Sequence, residues 1–303
     1  MLKHKAFTML ELIFVIVIMG ILAKFGVEFI AQAYKSFIFS KINNNLQSNS
    51  SSAVELIASR LQYRIKASVV ATNPATGTSS LLSNSADDNA TILEWVGSLS
   101  EGFRGSTTTT QIIPDWSGIL DINDSNSSVL VSPKTNTNTV NNLIVSLSNG
   151  TNSMNSAALY FIGSTNISTG WGWNTGTALA DQNGSIHPVK AGTNTNEFVS
   201  SIVGKNFSGV DVYEYYKLAW TAYAVGIDDW NSSSKTGTLK LWYDYRPWLG
   251  QKYSDLTTKS ALIAENVSAF RFRASGSLIK IQVCSKSSIP SEEYSICKEK
   301  TIY

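Results

Sequence analysis

The chain has 303 residues, of which 15% are charged and 11% are aromatic, and its formal net charge is +2. The two lysines of a short N-terminal leader account for this excess, so the remaining side chains sum to zero. The net charge therefore indicates no overall field strong enough to hold nucleic acid or an anionic membrane surface. The aromatic content argues against disorder, because large rings supply the apolar area of a folded core.

An apolar segment of membrane length lies at the N-terminus. The leader carries Lys3 and Lys5, and the run Phe7–Ala23 that follows contains one acidic residue, Glu11. As a helix this run spans about 25 Å, just enough for the hydrocarbon core of a bilayer. By the positive-inside rule, the lysines place the N-terminus in the cytoplasm and the remaining domain outside it.

Glu11 is the informative residue of this segment. An ionised carboxylate in a membrane helix costs about 2 to 3 kcal/mol, and such a group usually has a partner. Neither a signal peptide, which is discarded, nor a plain anchor needs a carboxylate. The residue therefore predicts a helix whose apolar end docks beside other helices.

The segment Phe7–Leu12 (FTMLEL), followed by a β-branched apolar run and by Gly20–Ala23 (GILA), resembles the processing signature of type IV prepilins and type II secretion pseudopilins. The resemblance implies that a membrane aspartyl peptidase, the prepilin peptidase, cuts between Ala6 and Phe7 and N-methylates Phe7. It also implies that Glu11 pairs with the new α-amino group of Phe7, in its own or a neighbouring subunit.

Two features depart from the usual signature. Ala6 stands where the family usually has glycine, although the side chain before the cut remains small. No proline precedes Pro74, so the kink found in many pilin helices is predicted to be missing or displaced. The alternatives are an uncleaved signal anchor and an ordinary signal peptide, but the apolar run lacks a clean A-x-A peptidase site.

Helical spacing of apolar residues continues beyond the membrane segment. The serine tract 48–52 lowers helix propensity and leaves open whether the helix is interrupted. We predict one long helix from about Thr8 to Val70, on which the first half packs among neighbours and the second half under a β domain. Any helix must end before Pro74.

The remainder, residues 71–303, is predicted to be an antiparallel β domain outside the cytoplasm. Strand-like runs are found at 92–96, 129–132, 143–147, 157–162, 218–225 and 238–245. Two later runs, 265–273 and 277–284, are joined by Ala274–Gly276 and are predicted to form a hairpin. The predicted fold is α+β, with a leader 1–6, a long helix 7–70 and the β domain 71–303.

The first hairpin strand carries a second resemblance. Its sequence Asn266–Arg273 (NVSAFRFR), followed by a short turn and an apolar strand, is similar to J-type pseudopilins and W-type minor pilins. The resemblance implies a minor, low-copy subunit at or near a filament tip, whose partners are other pilin or pseudopilin subunits and an inner-membrane assembly platform. It implies a single-pass protein of the bacterial inner membrane with its C-terminal domain in the periplasm.

Cys284 and Cys297 are the two cysteines of the chain. An even number of cysteines in an oxidising compartment favours a disulfide, which would contribute about 2 to 3 kcal/mol by closing a short loop. Two unpaired thiols are the alternative.

Metal sites are not predicted. His187 is the one histidine after the leader, and lone histidines are usually structural. The segment Asp121–Asn126 resembles the start of a calcium loop, but it lacks the glycine at position six and the glutamate at position twelve. A polar turn is expected there.

Tryptophans are concentrated in the second half of the chain, and aromatic platforms can bind sugars or peptides. Trp171 and Trp173 are the pair expected to be exposed, and a β core filled by large rings is the alternative. A membrane-anchored binding protein or adhesin is therefore the second function hypothesis. The sequence contains no G-x-S-x-G, H-E-x-x-H or P-loop motif, so we predict neither an enzyme nor a cofactor.

Overall fold

The computed structural model describes residues 8–105, 113–287 and 294–303 of the chain. The predicted cleavage site, Ala6 and Phe7, lies outside the described residues, as does the whole leader. Within those ranges a long N-terminal helix precedes a large antiparallel sheet, which confirms the predicted α+β layout.

Helix α1 spans Met9–Leu61 and is about 80 Å long. It contains no proline and runs without a break through the serine tract. Ser50, in the middle of that tract, is fully buried; its hydroxyl lies 2.9 Å from the hydroxyl of Ser285 and 3.3 Å from the carbonyl oxygen of Ile296. These contacts with the β domain offset the low helix propensity of serine.

The helix ends earlier than the sequence pattern indicates. It stops at Leu61, so the predicted continuation to Val70 is wrong. Beyond this point the chain is held by a strand, because the N–H of Ile65 donates to the carbonyl oxygen of Val96 at 2.9 Å. Ile65 and Val69 are buried as the apolar pattern predicts, but they enter the core from non-helical backbone.

Twelve strands and two shorter α-helices follow α1 in the described ranges. The strands are β1 (Val70–Thr72), β2 (Ser79–Leu81), β3 (Ile92–Ser98), β4 (Leu130–Val131), β5 (Ala158–Phe161), β6 (His187–Ala191), β7 (Glu197–Ser200), β8 (Tyr216–Asn231), β9 (Thr236–Tyr245), β10 (Lys259–Ser275), β11 (Leu278–Lys286) and β12 (Ser295–Ile302). The helices are α2 (Ser100–Arg104) and α3 (Thr137–Leu147).

The long strand β8 is the branch point of the sheet. One of its edges pairs with β3, and the other pairs first with β5 and then with β9. From β9 the sheet continues through β10 and β11 to β12, and from β3 it continues through β1 to β2. From β5 a smaller branch runs through β6 and β7 to β4. All these pairings are antiparallel.

Most of the predicted strands are confirmed. The runs at 92–96, 157–162, 218–225 and 238–245 coincide with β3, β5, β8 and β9, and the run at 129–132 contains the two-residue strand β4. The predicted hairpin is β10–β11, in which Phe270 lies opposite Val283.

The predicted strand at 143–147 is wrong, because these residues form the end of α3. The side chain of Asn136 caps this helix by accepting the N–H of Asn138 at 3.0 Å. Val140 and Ile144, four positions apart, are fully buried on its inner face. A short apolar run fits both helical and strand spacing, and here the cap decides in favour of the helix.

The second half of α1 is embedded in the main core. Its buried apolar residues pack against the sheet together with Leu93 and Trp95 of β3 and apolar residues of β8 to β12. These helix residues are Ala53, Val54, Ile57, Ala58 and Leu61. Two further cores fill the space around α3 and around a group of tryptophans on another part of the sheet.

Candidate assembly interface

The first half of α1 presents an apolar surface that the β domain does not cover. An 18-residue window of this helix has a mean hydropathy of 2.4 and is 0% buried. By length and composition, the helix can therefore cross a membrane. The first buried residue along α1 is Leu46, so the β domain covers only the C-terminal part of the helix.

The exposed apolar surface is longer than a bilayer requires. Large exposed hydrophobic side chains occur from Met9 to Phe39, a distance of about 45 Å along the helix, whereas the hydrocarbon core is about 30 Å thick. Lys24 and Glu28 follow the apolar run and mark its boundary. Exposed apolar side chains continue past Lys24; among these are Phe25, Val27, Phe29, Ile30, Tyr34 and Phe37. A continuous apolar surface of this kind is typical of a contact with another protein.

Thr8 and Glu11 form a capping box at the start of α1. The hydroxyl of Thr8 accepts the N–H of Glu11 at 3.3 Å, and Oε2 of Glu11 accepts the N–H of Thr8 at 3.1 Å. The hydroxyl of Thr8 also lies 2.9 Å from Oε2. Among the described residues, Oε1 of Glu11 accepts no hydrogen bond and no cation pairs with the carboxylate. The box satisfies backbone donors but leaves the negative charge available to a positive group.

No protein-family model matches this chain, and searches of curated proteins and of solved structures gave no match.

Trp171 and Trp173 do not form an exposed pair, and this expectation is wrong. Both rings are buried, and Nε1 of Trp171 donates to Oδ1 of Asn166 at 2.9 Å. Gly172 between them adopts φ +87°, and a Cβ at this position would lie 2.1 Å from the carbonyl oxygen of Pro247. The glycine that suggested an exposed loop instead permits close packing that buries both neighbours.

Glu94 is a buried carboxylate that no motif in the sequence predicted. It lies on β3, where the hydroxyl of Thr72 donates to Oε1 and the hydroxyl of Tyr245 donates to Oε2 at 2.6 Å. Burial raises the pKa of Glu94 to about 7, although these hydrogen bonds and the charge of Lys252 act in the opposite direction. The sequence signal for it is a single acidic residue inside the otherwise apolar strand Ile92–Val96.

Cys284 and Cys297 form the predicted disulfide. They lie directly opposite each other on β11 and β12. The backbone of β12 also contacts α1, because the carbonyl oxygen of Ile296 lies beside the hydroxyl of Ser50. The bond therefore fixes the edge strand on which the second half of α1 rests.

Removing this disulfide is expected to lower the free energy of unfolding by about 2 to 3 kcal/mol, because the bond restricts the unfolded chain. Urea denaturation of the full chain in detergent, with and without reductant, measures the effect. The Cys284→Ala/Cys297→Ala double variant is the control, since its midpoint should match that of the reduced protein and not respond to reductant. Equal midpoints for oxidised and reduced protein would contradict the prediction.

Proposed function

We propose that this protein is a minor, low-copy structural subunit of a type IV pilus or a type II secretion pseudopilus, processed by prepilin peptidase and assembled through α1. The observation that supports it best is the uncovered apolar surface of α1, which is longer than the bilayer core. The sequence FTMLEL, which resembles the prepilin processing signature, overlaps the start of this surface.

The two halves of α1 have separate roles in this proposal. Before assembly, the N-terminal half lies in the inner membrane and the β domain lies in the periplasm. During assembly, the apolar surface leaves the lipid and packs against the helices of neighbouring subunits. These helices also cover the side chains near Phe29 and Phe37, which extend past the bilayer. The C-terminal half remains fixed in the β domain through residues such as Ile57.

Glu11 guides docking in the proposed mechanism. Its charge has no cationic partner among the described residues, and an unpaired charge inside a helix bundle costs several kcal/mol. The α-amino group created by cleavage before Phe7 would supply the missing positive charge.

The alternative function, a binding protein or adhesin with a tryptophan surface, loses support because Trp171 and Trp173 are buried.

Processing at Ala6–Phe7 is the direct test of the proposal. Mass spectrometry of protein extracted from membranes is expected to show an N-methylated Phe7 terminus. The matched control is the same protein from cells that lack prepilin peptidase, in which Met1 should remain. The Ala6→Gly variant should be cut at least as completely as the natural sequence, because it restores the usual residue before the cut. An intact Met1 terminus in cells with active peptidase would contradict the proposal.

A further inference from the structure

Strand β10 has an open edge along its second half. It pairs with β9 over Lys259–Val267 and with β11 over Val267–Ser275. The pairing register shifts on both edges near Val267, where β10 stops pairing with β9 and starts pairing with β11. From Ser268 onward, no strand of the described chain pairs with the edge that β9 occupied.

The geometry of the hairpin identifies which backbone groups face that edge. The two-residue turn Gly276–Ser277 closes the hairpin on the pair of Ser275 with Leu278. In such a hairpin the closing pair exchanges both hydrogen bonds, and every second pair along the ladder does the same. The intervening residues direct N–H and C=O groups toward the open edge, and these are Phe270, Phe272 and Ala274.

A cavity of about 620 Å³ lies along this edge. Five consecutive residues, Phe270–Ala274, line one side of it, and Leu82 with parts of the segment 83–91 line the other. Successive side chains of a strand point to opposite faces of the sheet. A cavity lined by five in succession therefore meets the strand from its edge, where another strand would pair.

The two faces of the open edge differ in chemistry. On one face, Phe270 and Phe272 pack against the main core that also contains Leu82. On the other face, the exposed side chains of Arg271 and Arg273 form no ion pair within the described chain. An added strand would thus meet apolar side chains on one face and positive charges on the other.

Other charged groups near the cavity do not neutralise these arginines. Lys280 lies directly opposite Arg273 on β11 and is paired with Glu299 at 2.8 Å. Asp87 and Asp88 line the far wall, and neither forms an ion pair with the arginines among the described residues. The carboxylate of Asp87 instead accepts the amide N–H₂ of Asn73 at 2.9 Å. The arginine face therefore favours an acidic partner.

We propose that Phe270–Ala274 is a docking edge for an extended strand of another protein, with acidic side chains beside Arg271 and Arg273 and apolar side chains at the intervening positions. The backbone groups of the added strand pair with those of β10, and its apolar face extends the main core toward Leu82. The alternation of acidic and apolar residues follows from the two faces of the edge.

Fluorescence anisotropy with the full chain in detergent micelles tests this proposal. The probes are octapeptides that alternate glutamate with valine, and the matched control probes replace each glutamate by lysine. The glutamate peptide is expected to bind at least about tenfold more tightly, the effect of about 1.4 kcal/mol in binding free energy. N-methylation of alternate amides distinguishes strand pairing from simple charge attraction. Two peptides are compared, one methylated at the odd-numbered amides and one at the even-numbered amides. Methylation should weaken binding at least about tenfold in one of these peptides and little in the other, because only alternate N–H groups of an added strand face β10.

Charge reversal provides the second arm of the test. The Arg271→Glu/Arg273→Glu variant is expected to prefer the lysine peptide. The Lys190→Glu/Lys217→Glu variant, which makes the same change in net charge at exposed strand residues away from the cavity, should keep the natural preference. Three outcomes would each overturn the proposal. They are no binding of the glutamate peptide, equal effects of N-methylation at the odd and even amides, and a preference of the control variant for the lysine peptide.

Discussion

Replacing Glu11 by valine is expected to leave the protein inserted in the membrane and processed, but to remove it from assembled filaments. The substitution makes α1 more apolar, so insertion should persist or improve, since a carboxylate opposes it by about 2 to 3 kcal/mol. Docking should fail, because the α-amino charge would enter the helix bundle without its partner. Fractionation into inner membrane and sheared filaments, followed by immunoblotting, measures this separation.

The capping box requires two further variants, because Glu11 also accepts the N–H of Thr8. Glu11→Gln keeps an acceptor at this position and removes the charge. Thr8→Ala removes the hydroxyl cap and keeps the charge. If charge pairing drives docking, the glutamine variant should be excluded from filaments as strongly as the valine variant, whereas Thr8→Ala should be incorporated.

The opposite pattern would assign the role of Glu11 to helix capping. Incorporation of Glu11→Gln at the natural level, together with loss of Thr8→Ala, would contradict the pairing mechanism. Full incorporation and function of Glu11→Val would contradict the filament-subunit proposal itself. A membrane-anchored binding protein needs only insertion, and it would tolerate all three substitutions.

Glu94→Gln is expected to make the protein more stable at pH 8 by about 3 kcal/mol and to change its stability little at pH 4. The pKa of Glu94 is raised from 4.5 to about 7 in the folded protein, mainly by burial. Below pH 4.5 the carboxyl is neutral in both folded and unfolded chains. As the pH rises toward and through 7, ionisation favours the unfolded chain, so stability is lost at about 1.4 kcal/mol for each pH unit between the two pKa values.

Urea denaturation of the full chain in detergent at pH 4, 6 and 8 measures this effect. Glu101→Gln is a matched control, because it makes the same substitution at an exposed position. Burial lowers the pKa of His187 to about 4, which makes stability fall as the pH drops below 6.5. The effect of His187 is common to all the variants, so it cancels when the free energy of unfolding of the natural protein is subtracted from that of Glu94→Gln. If this difference in stability does not grow with pH, the raised pKa of Glu94 is contradicted.

Local sequence determined the elements whose signals lie within a few residues. The apolar run and its helical spacing predicted α1, and the short connection 274–276 between two strand-like runs predicted the β10–β11 hairpin, whose turn is Gly276–Ser277. The even number of cysteines predicted the disulfide, because the β domain was inferred to lie in an oxidising compartment outside the cytoplasm. Each of these features depends either on residues close together in the chain or on the two cysteines, which have no other cysteine to pair with.

Tertiary structure decided the features that depend on distant segments. Helix α1 stops at Leu61 because Ile65 pairs with β3, and the glycine between two tryptophans buries them because Pro247 packs against it. Glu94 acquires its partners from β1 and β9. The open edge of β10 exists because β9 pairs only as far as Val267. Such contacts join residues far apart in the chain, and apolar spacing alone does not specify which segments meet.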